Sequence, residues 1–464
     1  MSTSLGTQER PLRVAVVGAG PAGFFTVEAL LKASDLACSI DMFNRLPTPY
    51  GLVREGVAPD HQSIKKVTAK YDRIAEKPNV RYFGNVTFGV DVDRDDLLRH
   101  YHQVVYAVGA QSDRPLGVPG EDLDGSHAAT EFVAWYNGHP DFVDRTFDLS
   151  HERAVVVGNG NVAVDVARIL VTHPEELAAT DIADHALDAL RKSRVREVVM
   201  LGRRGPAQGK FTSVELKELG RLDGVDVVVD PADLELDPAS AAEAEGSRVA
   251  KRNLEILREL ANREAEGSGR RLVLRFLASP TEILEADGRV GAVCVERNRL
   301  VPTANGTVRS EGTGKIDTLD AGLVLRSVGY QGVPLPGVPF DPDRHLIPNQ
   351  AGRVLDGPGG SVIPGEYVAG WIKRGPSGII GTNKPDAAET VAAMLEEARR
   401  GGTRVPERPE PGAVTEVLES RGVRYVTFED WRKLDEFETM EGQAQGRPRV
   451  KVVRVERMLE IMGR

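Results

Sequence analysis

One glycine pattern occurs twice in this chain, and the two copies differ. The first is Gly18-Ala19-Gly20-Pro21-Ala22-Gly23 and the second is Gly158-Asn159-Gly160-Asn161-Val162-Ala163. Each follows an apolar run, Val14-Ala15-Val16-Val17 or Ala154-Val155-Val156-Val157, and each leads into a helical pattern. In a strand–turn–helix unit the first glycine permits the tight turn. The second lets backbone approach a pyrophosphate, and the third allows close packing of helix on strand. The pyrophosphate then sits at the positive end of the helix. One such loop is a weak signal. Two, each in this context, predict two dinucleotides held against each other.

The differences between the loops assign them. The first ends on Gly23 and the second on Ala163. The extra methyl separates helix and strand slightly, a pattern associated with NADP. A stronger sign stands at the end of the next strand, in Gly202-Arg203-Arg204-Gly205-Pro206. Two guanidinium groups there suit a 2′-phosphate through paired, charge-assisted bonds. The plainer alternative is two solvated arginines on a turn, and the position after a glycine-loop unit disfavours it. The first loop is read as the FAD site. About 20 residues past such a loop an acid is expected to bond the ribose, but residue 44 is Asn and Asp41 lies three positions earlier. Either Asp41 is that acid, or Asn44 takes its place with one carbonyl acceptor and no charge. In the second case an Asn44→Glu exchange is expected to strengthen FAD retention.

Composition narrows the class. The 464 residues are 41% hydrophobic and 28% charged, ordinary for a globular protein of two or three domains. No apolar run approaches the roughly 20 residues that span a bilayer, and Met1–Arg10 carries no apolar core of a signal peptide. The expected setting is cytoplasmic, without membrane insertion. A net charge of −10 argues against a nucleic-acid binder. The two cysteines, Cys38 and Cys294, form no C-x-x-C. That excludes redox-dithiol chemistry within the chain and leaves too few thiolates for a cysteine-held zinc or iron–sulfur centre. No resident metal is expected.

Periodicity gives two βαβ starts, at 13–43 and at 153–201. Segments predicted as helical include 22–33, 62–76, 238–270 and 385–399, with a terminal group near 412–421, 428–435 and 455–462. Strands are expected at 80–90, 103–108, 271–278, 290–298, 322–329 and 366–370. Pro115, Gly117, Pro119 and Gly120 mark a linker. The expected fold is α/β with two Rossmann-like domains, the NADP domain (113–330) inserted into a discontinuous FAD domain (1–112 and 331–464).

Longer stretches identify a family. Tyr50-Gly51-Leu52-Val53-Arg54, Gly56-Val57-Ala58-Pro59-Asp60-His61, Gly158 through Asp165, Gly202 through Pro206, Gly370-Trp371-Ile372-Lys373-Arg374-Gly375-Pro376 and Gly378-Ile379-Ile380-Gly381-Thr382-Asn383-Lys384 resemble the adrenodoxin reductase-like ferredoxin–NADP reductases, bacterial FprA-type enzymes among them. The resemblance covers nearly the whole chain. It implies an FAD- and NADP-dependent reductase moving electrons between NADPH, by hydride to flavin N5, and a one-electron iron–sulfur carrier such as ferredoxin. It implies FAD contacts from Gly18, Gly20, Ala22, Gly23, Leu52 and Phe88, with Asn44 where the family has Glu. Trp371, Gly378, Ile379 and Ile380 would close over the flavin. NADP would meet Asn159, Gly160, Asn161, Val162, Arg203, Arg204 and Glu215, with Gly378 near the nicotinamide. His61 and Asp165 match a His and an Asp that the family places beside the flavin.

Plainer readings accompany several of these. His61 alone reads as a capping or surface residue, Asp165 as a solvated helix acid and Trp371 as core. Arg248, Lys251 and Arg252 lie on a helix whose other face holds Leu254, Leu257 and Ala261. That is a solvated face or a docking surface for an acidic ferredoxin. Rival functions are a reductase subunit of glutamate-synthase type, a flavin monooxygenase and a non-catalytic dinucleotide sensor.

Overall fold

The apolar runs before the two glycine loops become interior strands of two separate sheets, each flanked on both sides by parallel neighbours. The structure is a computed structural model describing residues 5–267, 269–303 and 307–464. It divides into two compact units, one of residues 5–57, 61–112 and 330–464, the other of 58–60 and the described part of 113–329.

In the first unit, strand Leu12–Val17 is buried along its whole length. It pairs in parallel with Cys38–Phe43 on one side and Gln103–Tyr106 on the other. Such a strand needs apolar side chains on both faces. Val14 and Val16 face one core layer, with Phe24, Tyr71 and Met394. Ala15 and Val17 face the other, with Phe43, Tyr101 and Leu418. Each large apolar side chain so buried contributes about 1.5–3 kcal/mol. The seven strands run in the order Asn349–Gln350, Arg353–Leu355, Val362–Val368, Gln103–Tyr106, Leu12–Val17, Cys38–Phe43 and Val80–Phe83. The crossover from the first strand passes through helix Pro21–Leu31, whose proline occupies the first turn, where its missing N–H has no cost. Helix Asn383–Arg399 packs beside that helix.

The second unit holds a six-stranded, wholly parallel sheet. Its order is Ser126–Ala128, Leu323–Arg326, Arg153–Val157, Glu197–Gly202, Arg271–Phe276 and Asp226–Val229. An antiparallel sheet of Ala278–Ala286, Arg289–Pro302 and Val308–Asp320 belongs to the same unit.

Several expected elements differ in detail. The helix expected over 62–76 is two, Gln62–Lys65 and Thr68–Ala75. The Thr68 hydroxyl donates to the Lys65 carbonyl (3.0 Å), and such local bonds compete with a continuing helix. The polar helix expected over 238–270 ends at Ala261 and is also two, Pro238–Glu245 and Arg248–Ala261. Asp237 and Ser247 each cap a start, accepting from Ala239 and Ser240 N–H and from Ala250 N–H. Strand Val308–Asp320 was not foreseen. Most of its side chains are exposed, so it lacks the alternation that marks a half-buried strand.

Candidate functional site

The first loop is shaped by what a side chain would strike. Gly18 has φ +111°, and a Cβ there would stand 2.4 Å from the Ala107 carbonyl oxygen. A Cβ on Gly23 would stand 2.0 Å from the Gly18 carbonyl oxygen, so no methyl fits between helix and loop. At Gly20 the situation reverses: only the Gly51 Cα lies within 4 Å, at 3.9 Å. This glycine leaves open space at the start of a helix whose N-cap bears no side-chain cap. A backbone cradle of this kind fits a pyrophosphate.

Two further segments of the first unit reach this loop. Tyr50 N–H donates to the Ala19 carbonyl (2.8 Å), which sets Gly51 beside Gly20. Leu52 is 36% exposed at the start of the short helix Leu52–Glu55. Gly370 stands on the other side, where a Cβ would come 2.5 Å from the Ala22 Cβ. Gly370 N–H donates to Asp386 Oδ2 (2.6 Å), and Trp371 follows directly. The indole donates from Nε1 to the Ser377 carbonyl (3.2 Å), and its ring lies 5.2 Å from Tyr330. Gly378 and Ile379 are exposed, Ile379 at 60%, and Ile380 packs partly onto the core. Phe88 meets Tyr106 edge-on at 5.8 Å.

Asp41 and Asn44 stand in different surroundings. Asp41 is fully buried. It accepts from Arg13 (2.7 Å), Arg81 (2.6 and 2.7 Å) and the Tyr101 hydroxyl (2.6 Å), so its carboxylate is spent inside the fold. Asn44 stands at the strand end. Its Oδ1 accepts from Ala19 N–H (3.2 Å), and its Nδ2 donates to the Leu46 and Thr48 carbonyls (2.9 and 3.0 Å). Asn44 thus ties the glycine loop to the 46–48 turn. One lone pair of Oδ1 remains for a ribose hydroxyl.

In the second unit Gly158 has φ +141°, and a Cβ would lie 2.2 Å from the Ser327 carbonyl oxygen. Gly160 begins helix Asn161–Val171 with open space beside it, the Lys210 Cβ at 3.9 Å. Asn159 lies against Gly202, and Asn161 Oδ1 accepts from Thr212 N–H (2.8 Å). Val162 is partly exposed. The backbone at Arg203 and Arg204 is pinned, since Asn298 Nδ2 donates to the Arg203 carbonyl (2.8 Å) and Leu277 N–H to that of Arg204 (3.1 Å). Neither guanidinium pairs with a carboxylate of the described residues, whereas most of the buried arginines do. Two unneutralised cations on a pinned backbone beyond a glycine loop fit a 2′-phosphate. Glu215 is buried in the first turn of helix Ser213–Leu219, capped by Thr212.

The two candidate polar residues fall in different units, His61 in the first and Asp165 in the second. His61 is 7% exposed and makes no side-chain cap, so it is neither a surface nor a capping residue. Asp165 accepts from Arg168 (2.9 Å), whose guanidinium also holds Asp60. Burial alone would lower the Arg168 pKa; Asp60 and Asp165 outweigh it and raise it. Arg168 was missed from sequence, although its spacing of three from Asp165 puts both on one helix face.

Arg248 and Lys251 are exposed on helix Arg248–Ala261, while Leu254 and Leu257 are buried. Arg252 pairs with Glu255 on the same helix. Among the described residues no helix is long and apolar enough to cross a membrane.

Comparison with known proteins identifies the family. Residues 12–231 match the family model described as pyridine nucleotide-disulphide oxidoreductase. The chain is 50% identical over 460 residues to the NADPH-ferredoxin reductase FprA of Mycobacterium tuberculosis, covering 97% of this chain and 99% of that protein. It is 42% identical over 461 residues to the mitochondrial NADPH:adrenodoxin oxidoreductase of Arabidopsis thaliana, covering 97% and 95%. A solved structure of M. tuberculosis FprA in complex with NADPH superimposes with a TM-score of 0.92 at 48% identity, covering 98% of this chain and all of that one. With identity at this level along its full length, the chain belongs to the adrenodoxin reductase-like ferredoxin–NADP reductases.

Proposed function

We infer that this protein is an FAD-dependent ferredoxin–NADP(+) reductase that moves electrons between NADPH and a one-electron iron–sulfur carrier such as ferredoxin. One observation carries the assignment: two glycine loops, each after a strand with parallel neighbours in its own sheet, one leaving no room for a methyl at Gly23, the other followed by the unneutralised pair Arg203–Arg204. The likeness to reductases named for NADPH and ferredoxin or adrenodoxin supports it. Bound FAD supplies the exchange between two-electron and one-electron transfer.

The chain's own residues bind and orient. Gly18, Gly20, Ala22 and Gly23 would seat the FAD pyrophosphate on the helix N-terminus, with Asn44 and Leu52 flanking it. Phe88 would line the flavin site, and Trp371 with Gly378, Ile379 and Ile380 would cover the flavin and exclude water. Asn159, Gly160, Asn161 and Val162 would seat the NADPH pyrophosphate, and Arg203 and Arg204 the 2′-phosphate. Glu215 would sit beside that nucleotide. His61 and Asp165 would serve orientation and proton supply, with Arg168 holding the Asp165 carboxylate. The exposed Arg248 and Lys251, with Arg252, would face an acidic ferredoxin. Glu255 and Glu259 on the same helix make that face mixed in charge.

Stopped-flow mixing under anaerobic conditions tests the assignment. NADPH is expected to bleach the yellow protein, NADH to do so far more slowly, and added ferredoxin to be reduced in turn. A yellow protein that NADPH leaves unbleached is a sensor, and the assignment fails.

A further inference from the structure

We propose that Glu438, in the C-terminal segment, is a positioning residue for FAD: through Arg54 it holds the turn Tyr50–Glu55 against Gly20. The proposal rests on the reading that the Gly18–Gly23 loop binds FAD.

The turn needs holding. Tyr50 has φ +84°, a region that bulky residues avoid and that persists only where the surroundings over-determine it. Gly51 follows with φ +50°, and a Cβ there would come 3.0 Å from the Gly20 Cα. The turn therefore forms one wall of the open space at Gly20, and any relaxation of Tyr50 moves that wall.

What holds it comes from the far end of the sequence. Helix Phe428–Ala444 carries Trp431 and Glu438. Trp431 Nε1 donates to the Tyr50 hydroxyl (3.1 Å), and the two rings meet edge-on at 5.7 Å. The Tyr50 hydroxyl donates to Asp72. Glu438 is fully buried and takes both terminal nitrogens of Arg54, at 2.7 and 2.6 Å. The Arg54 guanidinium also lies over the Trp431 ring at 5.2 Å, and Lys451 Nζ donates to the Arg54 carbonyl (3.0 Å). Glu438 is itself fixed by Val452 N–H (2.9 Å) and Arg449 (3.0 Å). A fork-to-fork Arg–carboxylate pair sets orientation as well as distance. Its acceptor face is complete only while Glu438 carries its charge.

Glu438→Gln keeps the shape and turns an amide toward a guanidinium. FAD is removed from the holoenzyme and its rebinding followed by quenching of flavin fluorescence. Glu438→Gln is expected to raise the FAD Kd at least tenfold and to alter the visible circular dichroism of bound flavin. NADP+ affinity is expected to stay within twofold of wild type. Leu418→Ala, in the opposite core layer, serves as the stability control. It is expected to lower Tm and to leave the FAD Kd within twofold. Trp431→Phe removes the bond to Tyr50 and shrinks the ring beneath Arg54, and is expected to raise Kd about threefold. The proposal falls if Glu438→Gln binds FAD within twofold of wild type, or if Kd rises equally in Leu418→Ala. Should Glu438→Gln fail to fold, an unchanged Kd in Trp431→Phe overturns it and a raised one supports it. Wild-type apoprotein that rebinds no FAD overturns the underlying reading along with the proposal.

Discussion

At the scale of single residues, chemistry follows from which atoms are already committed. Arg203 and Arg204 have pinned carbonyls and uncommitted guanidiniums, the reverse of Asp41, whose carboxylate is saturated by three donors. Replacing Arg203 or Arg204 by Ala removes charge-assisted bonds worth about 1.5–3 kcal/mol. KM for NADPH is expected to rise about 10–100-fold while KM for NADH stays put, as steady-state kinetics with the two nucleotides will report. Asn44 tells a different story from the one its position suggested. Both its amide donors serve carbonyls, so Asn44→Glu would turn a carboxylate toward the Leu46 and Thr48 oxygens. The Leu46 carbonyl keeps the Asn85 N–H (3.2 Å), but the buried Thr48 carbonyl left without its donor costs about 1–3 kcal/mol. FAD retention is therefore expected not to improve, and Tm to fall by several degrees, readable by flavin release on heating. The pattern identified Asn44 as a departure; the partners that explain it are four and fewer residues away but meet only when the turn folds.

Among elements, the central ladder of the first unit carries a titratable joint. His102 leads into strand Gln103–Tyr106, where its Nδ1 accepts from Arg13 N–H (3.0 Å) and its backbone N–H donates to the Arg13 carbonyl (3.0 Å). Only a neutral ring can accept at Nδ1. Burial, aided by Arg10 and Arg13, lowers its pKa from 6.5 to about 4. The unfolded chain takes up a proton below pH 6.5 that the folded chain refuses until pH 4. The contribution to stability is complete above pH 6.5 and is lost progressively as pH falls through that window. Urea midpoints of wild type should decline across it, and those of His102→Gln should decline less. A second lesson concerns helix Arg248–Ala261. Its buried face was legible because Leu254 and Leu257 recur at helical spacing, yet the Arg252–Glu255 pair became definite only once the chain was helical. The strand Val308–Asp320 stayed hidden because pairing with Arg289–Pro302, not burial, makes it a strand.

For the whole molecule, the net charge of −10 does not preclude an acidic partner, since encounter depends on local field and not on the total. If Arg248 and Lys251 face ferredoxin, replacing both by Glu should slow ferredoxin reduction about tenfold at low salt, and the difference should shrink as salt is added. Reduction of a small neutral dye should be unaffected. Equal ferredoxin rates in the two proteins would assign that helix face to solvent alone.

The sequence by itself determined that two different dinucleotide loops exist, which strands they end, and that no dithiol in the chain receives the electrons. These are local matters: the sterics of a glycine turn, the period of an apolar run, a count of thiols. Only the tertiary structure decided that Asp41 is spent, that Arg168 holds Asp60, and that a helix from the last forty residues braces the turn beside Gly20. Each of those joins residues distant in the chain, and no short pattern records which buried charge will find which partner.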